Sequence, residues 1–475
     1  MTATLWTAQE AALATGGRTQ GDWEAKGVSI DSRAVAAGDL FIALKGPSFD
    51  GHDFVADALG KGAAAAMVSK LPGGLPADAP LLQVGDTLEA LTALGQAART
   101  RSQARFIGVT GSVGKTGTKE ALKACLTAQG PTAASVASFN NHWGVPLSLA
   151  RMAPDSAYGV FEVGMNHAGE ISALTAILRP HVAIITTIAP VHLEFFDSIE
   201  GIADAKAEIF ESMGADGTAV LNRDNAFYDH LAGKARAAGV GRIIGFGSAP
   251  GAELRLEACE LGEHASKVKA EIFGRRVDYS LGLPGRHSVM NSLAVLGAVE
   301  AAGADLDKAL LELAKLAPLK GRGAREEIAL PGGGRFALID DSYNANPSSL
   351  RAALAVLGAS QPGSGGRRIA VLGDMLELGD EAERLHAGMA APIAEAGVDL
   401  VFSCGSLMAA LAEALPPAQR GGHASDSQAL APEVVAALGP GDVVLVKGSL
   451  GSRMALVVEA LKGIGGAPPD ATKGK

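Results

Sequence analysis

The sequence predicts an α/β protein of three domains: a small N-terminal α/β domain over residues 1–102, a central domain over 103–318 built on a doubly wound, mostly parallel sheet, and a C-terminal Rossmann-like α/β domain over 319–475. Length is the first ground. A chain of 475 residues exceeds what one hydrophobic core supports, so two to three domains are expected. Composition is the second: hydrophobic residues make up 48% and aromatics only 4%, so the core must be Ala, Val, Leu and Ile, as when helices cover parallel strands. The third is the alternation of short apolar runs with helical stretches along most of the chain.

In the N-terminal domain, Thr7 to Thr15 reads as a capped helix, Val28 to Arg33 as a strand running into a turn, and Asp39 to Gly46 as another strand. Asp50-Gly51-His52-Asp53-Phe54 then opens a helix over Val55 to Leu59. Gly73 to Pro80 is a glycine- and proline-rich excursion, and Leu88 to Ser102 is an apolar helix that ends the domain. Asp31, Arg33, Lys45 and His52 stand near strand ends or in loops, where ligand contacts gather. Taken alone they read as solvated loop residues.

The central domain begins with the apolar run Phe106-Ile107 and the stretch Gly108-Val109-Thr110-Gly111-Ser112-Val113-Gly114-Lys115-Thr116, followed by Lys119-Glu120-Ala121-Leu122. Strand, glycine-rich loop, Lys-Thr and amphipathic helix in that order predict a phosphate-binding loop. Glycines let backbone N–H groups turn inward around phosphate oxygens while the helix presents the positive end of its dipole. Lys115 would reach the β- and γ-phosphates, and the Thr116 hydroxyl would be a Mg²⁺ ligand. Val109 stands where the general pattern has glycine, with Gly108 one place earlier. ATP or GTP binding follows.

Further buried strands are expected at Tyr158 to Val163, His181 to Ile188 and Gly217 to Asn222. Ligand groups in such sheets gather beyond the carboxyl ends of strands, where Glu162, His192 and Asn222 fall. Residues 252–281 change character, with Leu254-Arg255-Leu256 and Val268 to Ile272 alternating like antiparallel strands. Gly285 to Asn291 starts a helix that runs to Ala302, and Leu313 to Gly323 marks the second boundary. Beyond it, strands at Phe336 to Asp340, Arg368 to Leu372, Asp399 to Ser403 and Asp442 to Val446 alternate with helices. There is no GxGxxG there, and Gly463 to Lys475 reads as a disordered tail.

The formal net charge of −10 argues against a nucleic-acid partner, so phosphates must be met locally. Cys125, Cys259 and Cys404 are scattered, which excludes a CxxC-type zinc site and fits reduced thiols. The N-terminus has no basic region or cleavage pattern and no apolar run reaches membrane-spanning length, so a cytoplasmic soluble protein is expected.

Chemistry concentrates in the central domain. Glu162 ends an apolar strand, where desolvation makes an unpaired carboxylate costly; a metal or a basic partner is expected, and a structural salt bridge is the alternative. His192 follows another strand and reads either as a ligand or as a packed, hydrogen-bonded ring. Lys206, in Asp204-Ala205-Lys206-Ala207-Glu208, reads by default as a solvated helix lysine.

The loop Thr110 to Thr116, the Glu162-Val163-Gly164 step, His192-Leu193-Glu194, Lys206 with Glu208, and His287 with Asn291 together resemble the Mur ligases, ATP-dependent amide-forming enzymes of peptidoglycan synthesis. Asp340-Asp341-Ser342-Tyr343-Asn344-Ala345-Asn346-Pro347, Leu372 to Gly379 and Lys447-Gly448-Ser449 are similar to the branch that joins D-alanyl-D-alanine to UDP-N-acetylmuramoyl-tripeptide. The resemblance touches all three domains and keeps its motifs in order. It implies that ATP phosphorylates a substrate carboxylate and that an amine attacks the resulting acyl phosphate. It implies Lys115, Lys206 and His192 as catalytic residues, and Thr110, Gly111, Ser112, Val113, Gly114, Lys115 and Thr116 around the phosphates. Asn291 would contact adenine, Arg322 the phosphates, and Asp340 with Asn344 would complete the nucleotide site.

By the same resemblance, Thr116 and Glu162 would hold one Mg²⁺ and His192 with Lys206 a second. A protonated lysine cannot ligate a cation. The family carbamylates this lysine with CO₂, which Lys206 would match. Asp31, Ser32, Arg33, Lys45 and Gly46 would bind the UDP end, Asn140 and Asn141 would face the muramoyl-peptide, and Asp374, Glu377 and Lys447 the dipeptide. A monomer is expected. Two other readings stay open: another Mur-type or folylpolyglutamate-type ligase, and a nucleotide-dependent switch protein. The switch would need Asn-Lys-x-Asp to read guanine, and Asn222-Arg223-Asp224 has the wrong spacing.

Overall fold

The computed structural model describes residues 4–136, 138–191 and 193–465. In the N-terminal part, Thr7 caps the helix Ala8–Thr15 through a capping box with Glu10. A five-stranded sheet follows in the order Arg18–Gln20, Leu81–Gln83, Ala65–Val68, Asp39–Ile42, Gly27–Ser29. Only its first pair is antiparallel. Asp86 caps the closing helix Thr87–Arg101 by accepting from the N–H groups of Leu88 and Glu89.

The central sheet has nine strands. Arg105–Thr110 lies inside it, flanked in parallel by Tyr158–Glu162 and Val182–Ile185. Thr132–Ala134 forms one edge; on the other side Thr218–Asn222 and Arg242–Gly247 continue in parallel. The alternating stretch becomes an antiparallel meander of Leu254–Leu261, Ser266–Ile272 and Arg275–Leu281. Side chains alternate across each strand. Ile107 and Val109 therefore face a core shared with helices Lys115–Thr127 and Arg286–Ala301. Phe106 and Phe161 face the opposite core with helices Gly144–Ala150, Glu170–Leu178 and Ile199–Ala207.

A third sheet of six strands runs Ala324–Ala329, Arg335–Asp341, Val443–Lys447, Arg368–Gly373, Leu400–Cys404, Arg420–Ala424, with only the first pair antiparallel.

The units interlock. Leu147 and Ala150, from the helix beyond Asn140 and Asn141, pack into the N-terminal core, and Trp6 Nε1 donates to Ala150 O at 2.8 Å. On the far side, Arg322 Nη2 and the Tyr343 hydroxyl each reach Ser138 Oγ at 3.1 Å. Glu194 N–H meets Glu377 O at 3.5 Å. Among the described residues no helix is long and apolar enough to cross a membrane.

Candidate active site

The strand Arg105–Thr110 ends at the glycine-rich loop, and the helix Lys115–Thr127 starts on its far side. Gly114 at φ 87° and Gly111 at φ 140° make the turn, conformations that residues with a Cβ rarely adopt. A Cβ on Gly111 would fall 1.9 Å from Thr186 Oγ1. No side chain caps the helix, so its first amide N–H groups and positive dipole end are left for an anion. The neighbouring strand end braces the loop. Thr110 O accepts from Thr186 N–H at 3.0 Å, Ser112 N–H donates to Thr187 O at 2.9 Å, and the Thr186 hydroxyl donates to Val113 O at 2.6 Å.

Lys115 Nζ folds back to donate to Gly111 O at 2.8 Å. Burial lowers its pKa, Glu162 pulls it up, and the Arg322 guanidinium pushes it further down. Glu162 is buried at the end of Tyr158–Glu162, its Oε2 accepting from the Thr116 hydroxyl and its Oε1 from Asn140 Nδ2, both at 2.8 Å. Among the described residues these are a hydroxyl and an amide rather than a base. Lys206 is buried on Ile199–Ala207, and no side chain among the described residues bonds to its ammonium. Burial, and then the charge of Lys115, hold its pKa well below the ordinary lysine value. Lys115, Arg322 and Lys206 thus converge around the loop of a protein whose net charge is −10.

A cleft of about 1010 Å³ opens between the loop and the third sheet. Its walls include Ser112 to Thr116, Asn140, Glu162 and Asn291 on one side and Arg322, Asn344, Glu377 and Lys447 on the other. Asn291 rests on the loop: a Cβ on Gly114 would come 2.7 Å from its Nδ2. Arg322 stacks 4.1 Å above the Tyr343 ring. Lys447 Nζ donates to Asp341 Oδ2 at 2.7 Å and to Asn344 O at 2.9 Å, which ties its strand end to that of Arg335–Asp341 and to the loop beyond it. His287 is open to the cleft yet crowded by protein. That desolvation lowers its pKa, with Asp341 opposing and Lys447 adding to the shift.

Other expected residues do not line this cleft. The Asp340 carboxylate accepts from the N–H groups of Gly321 and Ser342 at 3.2 Å and from the Ser342 hydroxyl at 2.6 Å. Asp374 Oδ1 takes the N–H of Met408 at 2.8 Å, at the start of helix Met408–Ala414. Asn141 Oδ1 accepts from Gly144 N–H at 3.0 Å. Asp31 and Arg33 pair at 2.9 Å on a turn of the N-terminal part, where Lys61 Nζ donates to Ser32 O at 2.9 Å. The Lys45 backbone forms an isolated antiparallel β-bridge with that of Asp50, and Gly46 N–H donates to Phe49 O at 2.9 Å. His192 lies outside the described residues. Sequence reasoning passed over Ser135 and Ser138, whose partners Glu162, Arg322 and Tyr343 are distant in the chain, and Leu376 and Leu450, exposed apolar residues on the cleft wall.

A glycine-rich loop leading into an uncapped helix on a parallel sheet, a buried carboxylate beside it and a second α/β unit across the cleft define a three-domain nucleotide-dependent enzyme of the phosphate-loop class. Comparison with known proteins narrows the class. Residues 24–99 match the catalytic domain of the Mur ligase family, residues 109–299 the Mur ligase middle domain, and residues 327–450 the Mur ligase glutamate ligase domain. The chain is 35% identical to the UDP-N-acetylmuramoyl-tripeptide--D-alanyl-D-alanine ligase of Rickettsia prowazekii, over 96% of this chain and 99% of that protein. It is 36% identical to the Escherichia coli enzyme of the same name, over 92% and 93%. A crystal structure of MurF from Acinetobacter baumannii superposes with a TM-score of 0.84 at 31% identity, covering 96% of this chain and 99% of that one. MurF of Thermotoga maritima in complex with ADP gives 0.75 at 26% identity, covering 92% and 97%. The chain belongs to the Mur ligase family.

Proposed function

We propose that the protein joins D-alanyl-D-alanine to UDP-N-acetylmuramoyl-tripeptide in peptidoglycan precursor synthesis, at the expense of ATP. The observation that carries this reading is the shared cleft: the phosphate loop and the carboxyl ends of the third sheet's parallel strands line one space. A nucleotide on the loop then lies where groups from two domains meet. The tripeptide carboxylate takes the γ-phosphoryl group and ADP leaves. The dipeptide amine attacks the acyl phosphate, loses a proton, and phosphate departs as the amide forms. Such chemistry needs positioning and charge neutralisation more than covalent help from the protein.

Each residue has a part in that scheme. The loop amides and Lys115 hold the phosphates and stabilise charge developing on the transferred group. Arg322 adds positive charge from the third domain, and Asn291 and Asn344 border the nucleotide. We assign the domains as 1–102, binding the UDP end through Asp31, Ser32, Arg33, Lys45 and Gly46; 103–318, binding ATP; and 319–475, receiving the dipeptide near Glu377 and Lys447. A cytoplasmic monomer fits these substrates.

The donor set fits magnesium. Among the described residues no three His, Cys, Asp or Glu side chains form a metal cluster, and Mg²⁺ takes few protein ligands beside phosphate oxygens and water. Thr116 and Glu162 would hold one ion and His192 with Lys206 another, where magnesium supplies neutralisation of phosphate charge. Lys206 suits carbamylation: burial favours the uncharged amine, the form whose nitrogen adds to CO₂, releasing a proton and leaving an anion. Release of phosphate tests the function. With ATP, Mg²⁺ and UDP-N-acetylmuramoyl-tripeptide present, D-alanyl-D-alanine should stimulate it and single amino acids should not; the reverse pattern would overturn the reading.

A further inference from the structure

Lys119 lies on the helix that starts at the phosphate loop and is fully buried, at 0% exposure. A buried ammonium is costly unless its donors are met. Here they reach the Glu120 carboxylate and, at 2.8 Å, the carbonyl of Ser135. Ser135 follows the edge strand Thr132–Ala134 and is tied to the next strand twice. Its N–H donates to Val160 O at 3.1 Å, and its hydroxyl accepts from Glu162 N–H at 3.0 Å. The segment then leads to Ser138, which meets Arg322 and Tyr343, and to Asn140, which holds Glu162 Oε1. Lys119 itself does not line the cleft, although Thr118 and Glu120 do.

We propose that Lys119 is a positioning residue for the reaction: by pinning Ser135 it fixes the Glu162 backbone and the segment carrying Asn140, and so aims the Glu162 carboxylate at the space beside Thr116. A methionine would fill the same apolar space without a buried charge. The lysine is explained by what its ammonium holds. Partners one step behind a metal ligand set its orientation, and losing one weakens metal affinity by about 10- to 100-fold. The inference rests on the reading of Glu162 as a metal ligand.

The test is Mn²⁺ affinity of the full-length protein with ADP, measured by electron paramagnetic resonance, in Lys119→Met, Ser135→Ala and Glu162→Gln. Lys119→Met and Ser135→Ala should each weaken Mn²⁺ by about 10-fold, with the KM for the dipeptide unchanged and the double variant no worse than the weaker-binding single one. A folded Lys119→Met with wild-type Mn²⁺ affinity overturns the inference. Should that variant not fold, Ser135→Ala decides alone: the same loss supports it and wild-type affinity overturns it. Wild-type affinity in Glu162→Gln would instead remove the metal assignment and this inference with it, whereas a loss there with none in Lys119→Met removes the inference only.

Discussion

The Thr116 hydroxyl donates to Glu162 Oε2 at 2.8 Å, joining the first turn of the phosphate-loop helix to the end of the neighbouring strand. Two oxygen donors from separate elements are thereby held side by side next to Lys115, as a hard divalent cation requires. Thr116→Val keeps the shape and removes the oxygen. Its expected effect is a rise of at least about 10-fold in the Mg²⁺ concentration needed for half-maximal turnover, with thermal stability close to wild type. A magnesium titration of phosphate release reads it, and an unchanged midpoint would take Thr116 out of the metal site.

Lys115 shares its space with Arg322 and is desolvated, so its charge is held there at a cost that Glu162 offsets only in part and a bound anion would relieve further. Lys115→Ala should therefore lower kcat by about 100- to 1,000-fold while leaving the unfolding midpoint unchanged or higher. Steady-state kinetics beside calorimetry separates the two effects. Near-normal turnover would refute the phosphate-loop assignment.

No side chain among the described residues bonds to the Lys206 ammonium, and the like charge of Lys115 adds to burial in lowering its pKa. Lys206→Ala should be inactive, and short carboxylic acids that can replace the carbamate should restore part of the rate. An alanine variant with wild-type rate and metal dependence would place Lys206 outside the reaction.

His181 offers a pH-dependent test away from the cleft. Its Nδ1 accepts from Phe106 N–H at 2.9 Å, at the start of the strand that leads to the loop, and burial beside Arg99 and Arg105 lowers its pKa to about 4. The unfolded chain takes up that proton near pH 6.5. Between about 6.5 and 4 the unfolded state therefore binds more protons, and stability falls as pH drops through that window. His181→Asn keeps an acceptor without a titrating group. It should show a smaller loss of stability from pH 7 to 4, by roughly 2 kcal/mol, in denaturant melts at each pH; parallel curves would contradict this.

The sequence makes the phosphate loop, the central strands and Glu162 legible because each is a local signal: glycines beside Lys-Thr, apolar runs, an acid at the end of one. The family resemblance, not a local signal, singles out Asp340 and Asp374. Their carboxylates accept from N–H groups of Gly321, Ser342 and Met408, of which Gly321 and Met408 are brought near only by folding. Short strands were equally hard to read. Ala65–Val68 is alanine-rich, and Arg242–Gly247 carries Gly245 and Gly247, yet both are hydrogen-bonded inside their sheets. Lys119 has the sequence setting of an ordinary helix lysine, and nothing local marks Ser135 as its acceptor.

The most direct measurement is mass spectrometry of the product after incubation of the full-length protein with ATP, Mg²⁺, UDP-N-acetylmuramoyl-tripeptide and D-alanyl-D-alanine. The expected result is one nucleotide-linked product heavier than the tripeptide substrate by the dipeptide less one water, with ADP formed in equal amount. ADP without that product, or a product carrying a single amino acid in place of the dipeptide, would contradict it.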